Sequence, residues 1–220
     1  MKLSQETITI LKNFCAINAN ILINPGNSIV TISEGKNILA SATVNENFTS
    51  SFGIYDLNEF LSALSLVDVP ELELFENFVH IRSGKTVIKY FFADKSLLTL
   101  PQKNSIKLPS IDLKFILSDE NMQRIKKAAS VFGHLAFEVI AENGVVDISV
   151  SNPKNTVGNT YTLTVDENNE SKISHQYPIS IGNLKMLPGS YEVSLCSRVA
   201  HFKNTNIPVE YWIALDSPKK

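Results

Sequence analysis

Four cations on two short stretches are the residues of this chain best suited to do chemistry. Lys12 stands in SQETITILKNFCAI (4–17), and Arg124, Lys126 and Lys127 stand in SDENMQRIKKAASV (118–131). Lysine and arginine gathered on one side of a helix contact phosphate by charge alone, without reading a base sequence. The surroundings suit that chemistry. After Glu6 no acid follows until Glu34, and after Glu120 none until Glu138. Two faces, polar or basic and free of carboxylates, therefore sit in a chain with 20 cations against 22 acids. Lys185 joins the set from a short stretch closer to the C-terminal end. The plain alternative is an ordinary solvated helix face, which most such runs are.

Other chemistries find no support in the residue types. No glycine-rich phosphate loop, no GxSxG, no HExxH and no plausible carboxylate pair occurs. No catalytic residue, no metal site and no cofactor is expected. His80 and His201 fall at equivalent places of two different halves, without Cys, Asp or Glu at metal-ligand spacing, and read as structural histidines. Cys15 lies on the apolar side of its helix, and Cys15 and Cys196 occupy non-equivalent positions. Both read as buried free thiols of a reducing compartment. No secretory leader and no apolar run near bilayer length is apparent, so no membrane partner is expected.

The elements that hold these cations are built twice. At an offset of 114, Ser4 meets Ser118, Glu6 meets Glu120, Lys12 meets Lys126, Ile8 meets Met122 and Leu11 meets Ile125. Each copy opens on serine, the preferred N-cap, and keeps acid in its first turn, where the helix dipole favours it. The expected buried stripes are Ile8, Leu11, Cys15 and Met122, Ile125, Ala129. Gly26–Ser33 aligns with Glu142–Ser149 at 116, and Glu71–Ala93 aligns with Glu192–Ala214 at 121, bringing His80 onto His201 and Phe91 onto Trp212. The charge divides evenly as well, with nine cations to ten acids in residues 1–107 and eleven to twelve in 108–220.

Hydrophobic period and turn residues predict the elements. In the first half, strands are expected at Ile21–Asn24, Ser28–Ser33, Ile38–Val44 and Phe48–Ile54. A helix capped by Asp56 follows, then strands Glu71–Glu76, Phe78–Arg82 and Thr86–Phe92. In the second, strands are expected at Asp112–Leu117, Leu135–Ala141, Val145–Val150, Thr160–Val165 and Ser174–Ile179. A short helix at Gly182–Met186 precedes strands Tyr191–Ser197, Val199–Lys203 and Val209–Leu215, with a frayed tail at Ser217–Lys220. The expected domains are 1–94 and 112–220, joined by a connector at 95–111.

Three stretches carry a resemblance to a known family: MKLSQETITILKNFCAIN from Met1, IYDLNEFLSALSLV from Ile54 and IGNLKMLPGSYEVSL from Ile181. They resemble the sliding clamps of T-even-type bacteriophages, the processivity factors of their replicative polymerase. The resemblance implies an α+β fold of two similar clamp domains, each with two helices packed on antiparallel sheet, assembling as a homotrimeric closed ring. It implies double-stranded DNA as the encircled, sequence-independent partner, with Lys12, Arg124, Lys126, Lys127 and Lys185 facing it. It implies the replicative DNA polymerase and the clamp-loader complex as further partners, the cytoplasm of the infected bacterial host as the location, and a possible part in late transcription. A partner peptide is expected at the connector and the final strand, on Leu98, Leu100, Pro101, Leu108, Pro109, Ala214 and Leu215. At the subunit boundary Thr86–Phe92 is expected to pair with Ser174–Ile179 of a neighbour. The alternative is a tandem β-rich phage virion protein, which would not need paired basic helices.

Overall fold

Both long helices begin where the sequence offers a serine. The computed structural model describes residues 1–151, 158–171 and 173–216, so the tail expected at Ser217–Lys220 lies outside the described residues. The chain divides into two compact units, Met1–Ser105 and Ile106–Lys220, with the division inside the expected connector.

The first unit runs α1 (Gln5–Ile17), β1 (Ile21–Ile23), β2 (Gly26–Ile32), β3 (Ile38–Phe48), β4 (Phe52–Ile54), α2 (Leu57–Ser65), β5 (Glu71–Leu74), β6 (Phe78–Ser83) and β7 (Thr86–Phe91), then a 3-10 turn at Lys95–Leu97. β2 pairs with β3, β1 with β4, and β5, β6 and β7 form an antiparallel sheet in that order. Leu57, Phe60 and Leu64 of α2 are buried, as are Val79 and Ile81 of β6. The segment after β7 is strapped to its own unit. Phe92 stacks on Phe52, Ala93 N–H donates to Gly53 O, and Thr99 N–H donates to Asn20 Oδ1. Gly53 is what lets the strap lie so close, since a methyl there would stand 2.8 Å from Ala93 O and from Leu98 Cδ1.

The second unit runs β8 (Leu113–Leu117), α3 (Asp119–Phe132), β9 (Ala136–Glu142), β10 (Val145–Val150), β11 (Tyr161–Asp166), β12 (His175–Ser180), β13 (Tyr191–Leu195), β14 (Val199–Asn204) and β15 (Val209–Ala214). β11, β10, β9 and β12 lie side by side in that order, and β8, β13, β14 and β15 form a second antiparallel run. Phe115, Ile125, Phe137, Ile148, Tyr177 and Phe202 are among its buried side chains.

Two expectations are corrected here. β3 continues to Phe48 and β4 begins only at Phe52, because the apolar alternation of Ala42, Val44 and Phe48 runs past the expected end. The helix expected at Gly182–Met186 is a 3-10 turn, Ile181–Asn183, without a side-chain cap. The turn closes with Leu184 N–H donating to Ile181 O, and a few residues on the backbone bonds to tyrosines: Leu187 N–H donates to the Tyr211 hydroxyl, and the Tyr191 hydroxyl donates to Leu187 O. With Leu184, Met186 and Leu187 buried, packing overrides the weak helical tendency of a five-residue stretch.

Sheet edges differ in how they are finished. β5 is covered by the chain's own start: Met1 O accepts from Leu72 N–H, the Met1 ammonium donates to Leu72 O, and Lys2 pairs with Glu71. β12 carries Pro178, which has no N–H to offer, and Pro178 O already accepts from Asp216 N–H at 3.1 Å. Among the described residues of each unit, no strand pairs with the far side of β7 or of β11. Open edges of this kind invite another strand.

Candidate nucleic-acid interface

α1 is held at both ends, and that sets which way Lys12 points. Ser4 Oγ accepts from Thr7 N–H at 3.2 Å. Thr7, fully buried, donates its hydroxyl to Glu46 of β3, and the same carboxylate accepts from Ser4 N–H. Burial pushes the Glu46 carboxyl up, but the bonds from Thr7 and Ser4 outweigh it and hold the group below the usual range. At the far end Asn18, also buried, donates its amide to Ile32 O at 2.9 Å and Thr99 O at 3.2 Å, while its oxygen accepts from Asn20 N–H. The helix buries Thr7, Ile10, Leu11, Phe14 and Ile17. Ile8 and Cys15, expected on the core stripe, are only half-buried at its margin. Phe14 and Ile10 are the larger apolar groups one position over, and the clasp at Thr7 turns the helix toward them.

α3 is fastened by different means. Ser118 Oγ accepts from Asn121 N–H, and Asp119 Oδ1 accepts from Gly189 N–H at 2.8 Å. The helix ends at Gly133, left-handed at φ 67°, whose N–H and that of His134 return to the last carbonyls. Met122, Ile125, Ala128 and Ala129 are buried as the period predicts.

With both faces fixed, the cations sort themselves. The caps correspond at an offset of 114, as do the buried pairs Leu11–Ile125 and Phe14–Ala128, but three buried pairs correspond one residue further on: Thr7 with Met122, Ile10 with Ile125, Phe14 with Ala129. A slip of one residue turns a helix by about 100°. By exposure the counterpart of Lys12 is Lys127. Lys126 lies at the margin of the core, half-buried, where burial lowers its ammonium and Asp119 partly restores it. Arg124 is exposed but holds Glu120 one turn earlier in an ion pair, so its charge is partly answered within the helix. Lys185 is exposed just beyond the 3-10 turn of the second unit.

The residues expected to hold a partner peptide fall in both units. Leu98 is half-buried against Gly53 of the first unit, and Leu100 and Pro101 are half-buried in the same segment. In the second unit Leu108 is half-buried and Pro109 exposed, Ala214 ends β15, and Leu215 N–H donates to Arg198 O. Sequence reasoning did not single out Glu46 or Asn18. The available signal was modest: Glu46 is the lone acid between Glu34 and Asp56, in a strand that otherwise carries no charge. Among the described residues no three His, Cys, Asp or Glu side chains gather as metal ligands, and no helix is long and apolar enough to cross a membrane.

Comparison with known proteins agrees in family and in fold. The family described as DNA polymerase processivity factor matches residues 3–90. The chain is 30% identical over 225 residues to the sliding clamp of Vibrio phage KVP40, covering 99% of this chain and 100% of that one. It is also 30% identical over 226 residues to the sliding clamp of Escherichia phage RB69, covering 99% and 97%. Among solved structures it is similar in fold to the A. fulgidus PCNA bound to the C-terminal region of FEN-1. The TM-score is 0.74 at 10% identity, over 99% of this chain and 98% of that one.

Proposed function

The chain belongs to the sliding-clamp family of DNA polymerase processivity factors, non-enzymatic proteins of α+β clamp fold, and from that premise we propose that three copies close into a ring around duplex DNA. Lys12 and Lys127 are the cations offered to the phosphates, with Arg124, Lys126 and Lys185 as secondary contacts. The observation that carries this reading is the pair of independently clamped helices whose exposed faces carry matching lysines and, beyond the first turn, no acid. Such contacts depend on charge and not on base identity, so they permit sliding. Encirclement supplies retention, so no tight site is needed.

Closure is proposed through the open edges. β7 is one side of each joint, and β11 of a neighbour suits the other better than the Ser174–Ile179 strand expected from sequence. The reason is that β12 has a proline and a carbonyl already in use at its outer side. Tyr161, Leu163 and Val165 of β11 and Ile88 and Tyr90 of β7 are half-buried and would be covered by such pairing. The replicative polymerase and the clamp loader are held from outside, with Leu100, Pro101, Leu108, Pro109, Ala214 and Leu215 as proposed anchors for a short peptide. Leu98 is the weakest of the set because it packs on Gly53. A part in late transcription of the infected host cell would use the same anchors.

The test is topological. Loaded by the cognate loader onto nicked circular DNA, the protein stays bound through gel filtration, and cutting the circle releases it. Equal retention on circular and linear DNA would overturn the ring. The virion-protein reading has no observation in its favour.

A further inference from the structure

The segment between β12 and β13 is tied to α3 at both ends of that helix. Ile181 N–H donates to Leu135 O at 2.9 Å, just past the C-terminal end of α3. At the other end Gly189 N–H donates to Asp119 Oδ1 at 2.8 Å, and Asp119 N–H donates to Ser190 Oγ at 3.2 Å. Asp119 is the first residue of α3. Lys185 stands between these ties, exposed, with the buried side chains of Leu184 and Met186 on either side of it. The segment has little regular structure with which to hold that lysine. Its 3-10 turn closes with Leu184 N–H on Ile181 O, and residues 185–190 belong to no helix or strand. Beyond Lys185 its bonded backbone points are Leu187, between the Tyr191 and Tyr211 hydroxyls, and Gly189, on Asp119.

The helix does not need Asp119 as its cap, because Ser118 Oγ already accepts from Asn121 N–H. Its carboxylate is turned to the neighbouring segment instead. It is also an acid whose charge reaches Lys126, so it weakens the pull of that helix on phosphate. The first unit has no such arrangement. There α2 occupies the matching place between β4 and β5, held by its own helical bonds and without a cation, and the first residue of α1 is an exposed glutamine, Gln5.

On the reading that Lys127 and Lys185 meet the DNA backbone, we propose that Asp119 is a positioning residue whose carboxylate oxygen latches the 181–190 segment to α3 and so fixes Lys185 beside the cations of that helix. A lysine on a loose segment still attracts phosphate, but ordering it on contact costs freedom that a latched segment has already given up. The acceptor oxygen carries this role and the charge does not, so asparagine can replace Asp119 and alanine cannot. Asp119 is half-buried, and neither change opens a cavity in the core.

The experiment compares Asp119→Asn with Asp119→Ala in the full chain, each with and without Lys185→Ala. Both changes at Asp119 remove one negative charge, and only asparagine keeps an oxygen for Gly189 N–H. Retention on linear duplex is measured across salt, and hydrogen exchange at Gly189 reports on the latch itself. Asp119→Ala is retained about threefold less than Asp119→Asn at equal salt, and its Gly189 N–H exchanges faster. Lys185→Ala flattens the salt slope of the unaltered chain and of Asp119→Asn by about one unit, and that of Asp119→Ala by less than about half as much. A purely structural loss would leave the dependence on Lys185 intact. Equal retention of the two Asp119 variants, unchanged exchange at Gly189 in Asp119→Ala, or the full effect of Lys185→Ala in that background each overturns the latch. If Lys127→Ala flattens the slope of the unaltered chain and Lys185→Ala does not, the latch falls and the DNA-facing reading of α3 stands. If neither lysine alters the slope, that reading falls with it.

Discussion

Glu46 does at long range what a capping residue does locally. It lies 42 residues from Ser4, yet it accepts from that residue's backbone and from the buried Thr7 hydroxyl. Glu46→Gln keeps the size and removes the charge, so it should lower stability by about 1 kcal/mol at pH 7, a typical cap loss. Because the folded carboxyl sits below its unfolded range, its contribution is present above about pH 4 and fades as pH falls through the folded value. Urea unfolding of the two proteins should therefore differ at pH 7 and converge at acid pH. The cations make a second contrast at this scale. Lys127→Ala should flatten the dependence of DNA retention on salt by about one unit of log slope per phosphate contact removed. Arg124→Ala should flatten it less, since that charge is already partly answered by Glu120. Equal slopes for the two variants would count against the sorting of the cations by face.

Between elements, the close approach that matters is the strap over β4. Gly53 has room for no methyl, with Ala93 O and Leu98 Cδ1 at 2.8 Å from where one would be. Gly53→Ala should displace the strap and cost about 1–3 kcal/mol by overpacking, read as a lowered urea midpoint with an unchanged slope. The same variant should expose Thr99 N–H, now bonded to Asn20, to faster hydrogen exchange. Gly133 offers the gentler comparison. Its φ of 67° is left-handed but nothing lies near its Cβ position, so Gly133→Ala should cost about 1 kcal/mol from backbone strain alone.

At the scale of the whole molecule, the open edges of β7 and β11 predict assembly. Light scattering of the protein should give three times 24.4 kDa. A lysine at Leu163, half-buried on the inner side of β11, should leave the monomer folded and prevent the larger species from forming. A monomer that persists for the unaltered chain at high micromolar concentration would contradict the joint. The edge at β12 should be indifferent: Gln176→Lys, exposed on that strand, should not change the mass.

Much of this architecture is carried by local pattern. Serine caps, the 3.6-residue period of α3 and the two-residue period of β6 and β10 all lie within a few residues of one another, where propensity and patterning act directly. The orientation of α1 does not. Its period admits a stripe through Ile8 and Cys15 as readily as one through Ile10 and Phe14, and the second is held by groups distant in sequence: Glu46 reaching Thr7 from β3 at one end and the bonds of Asn18 to Ile32 and Thr99 at the other. That choice moves the partner of Lys12 from Lys126 to Lys127. The collapsed helix at Ile181–Asn183 is likewise a tertiary outcome. In each case residues far apart in the chain compete for one hydrogen bond or one patch of covered surface, and the winner is set by which groups the fold brings within reach.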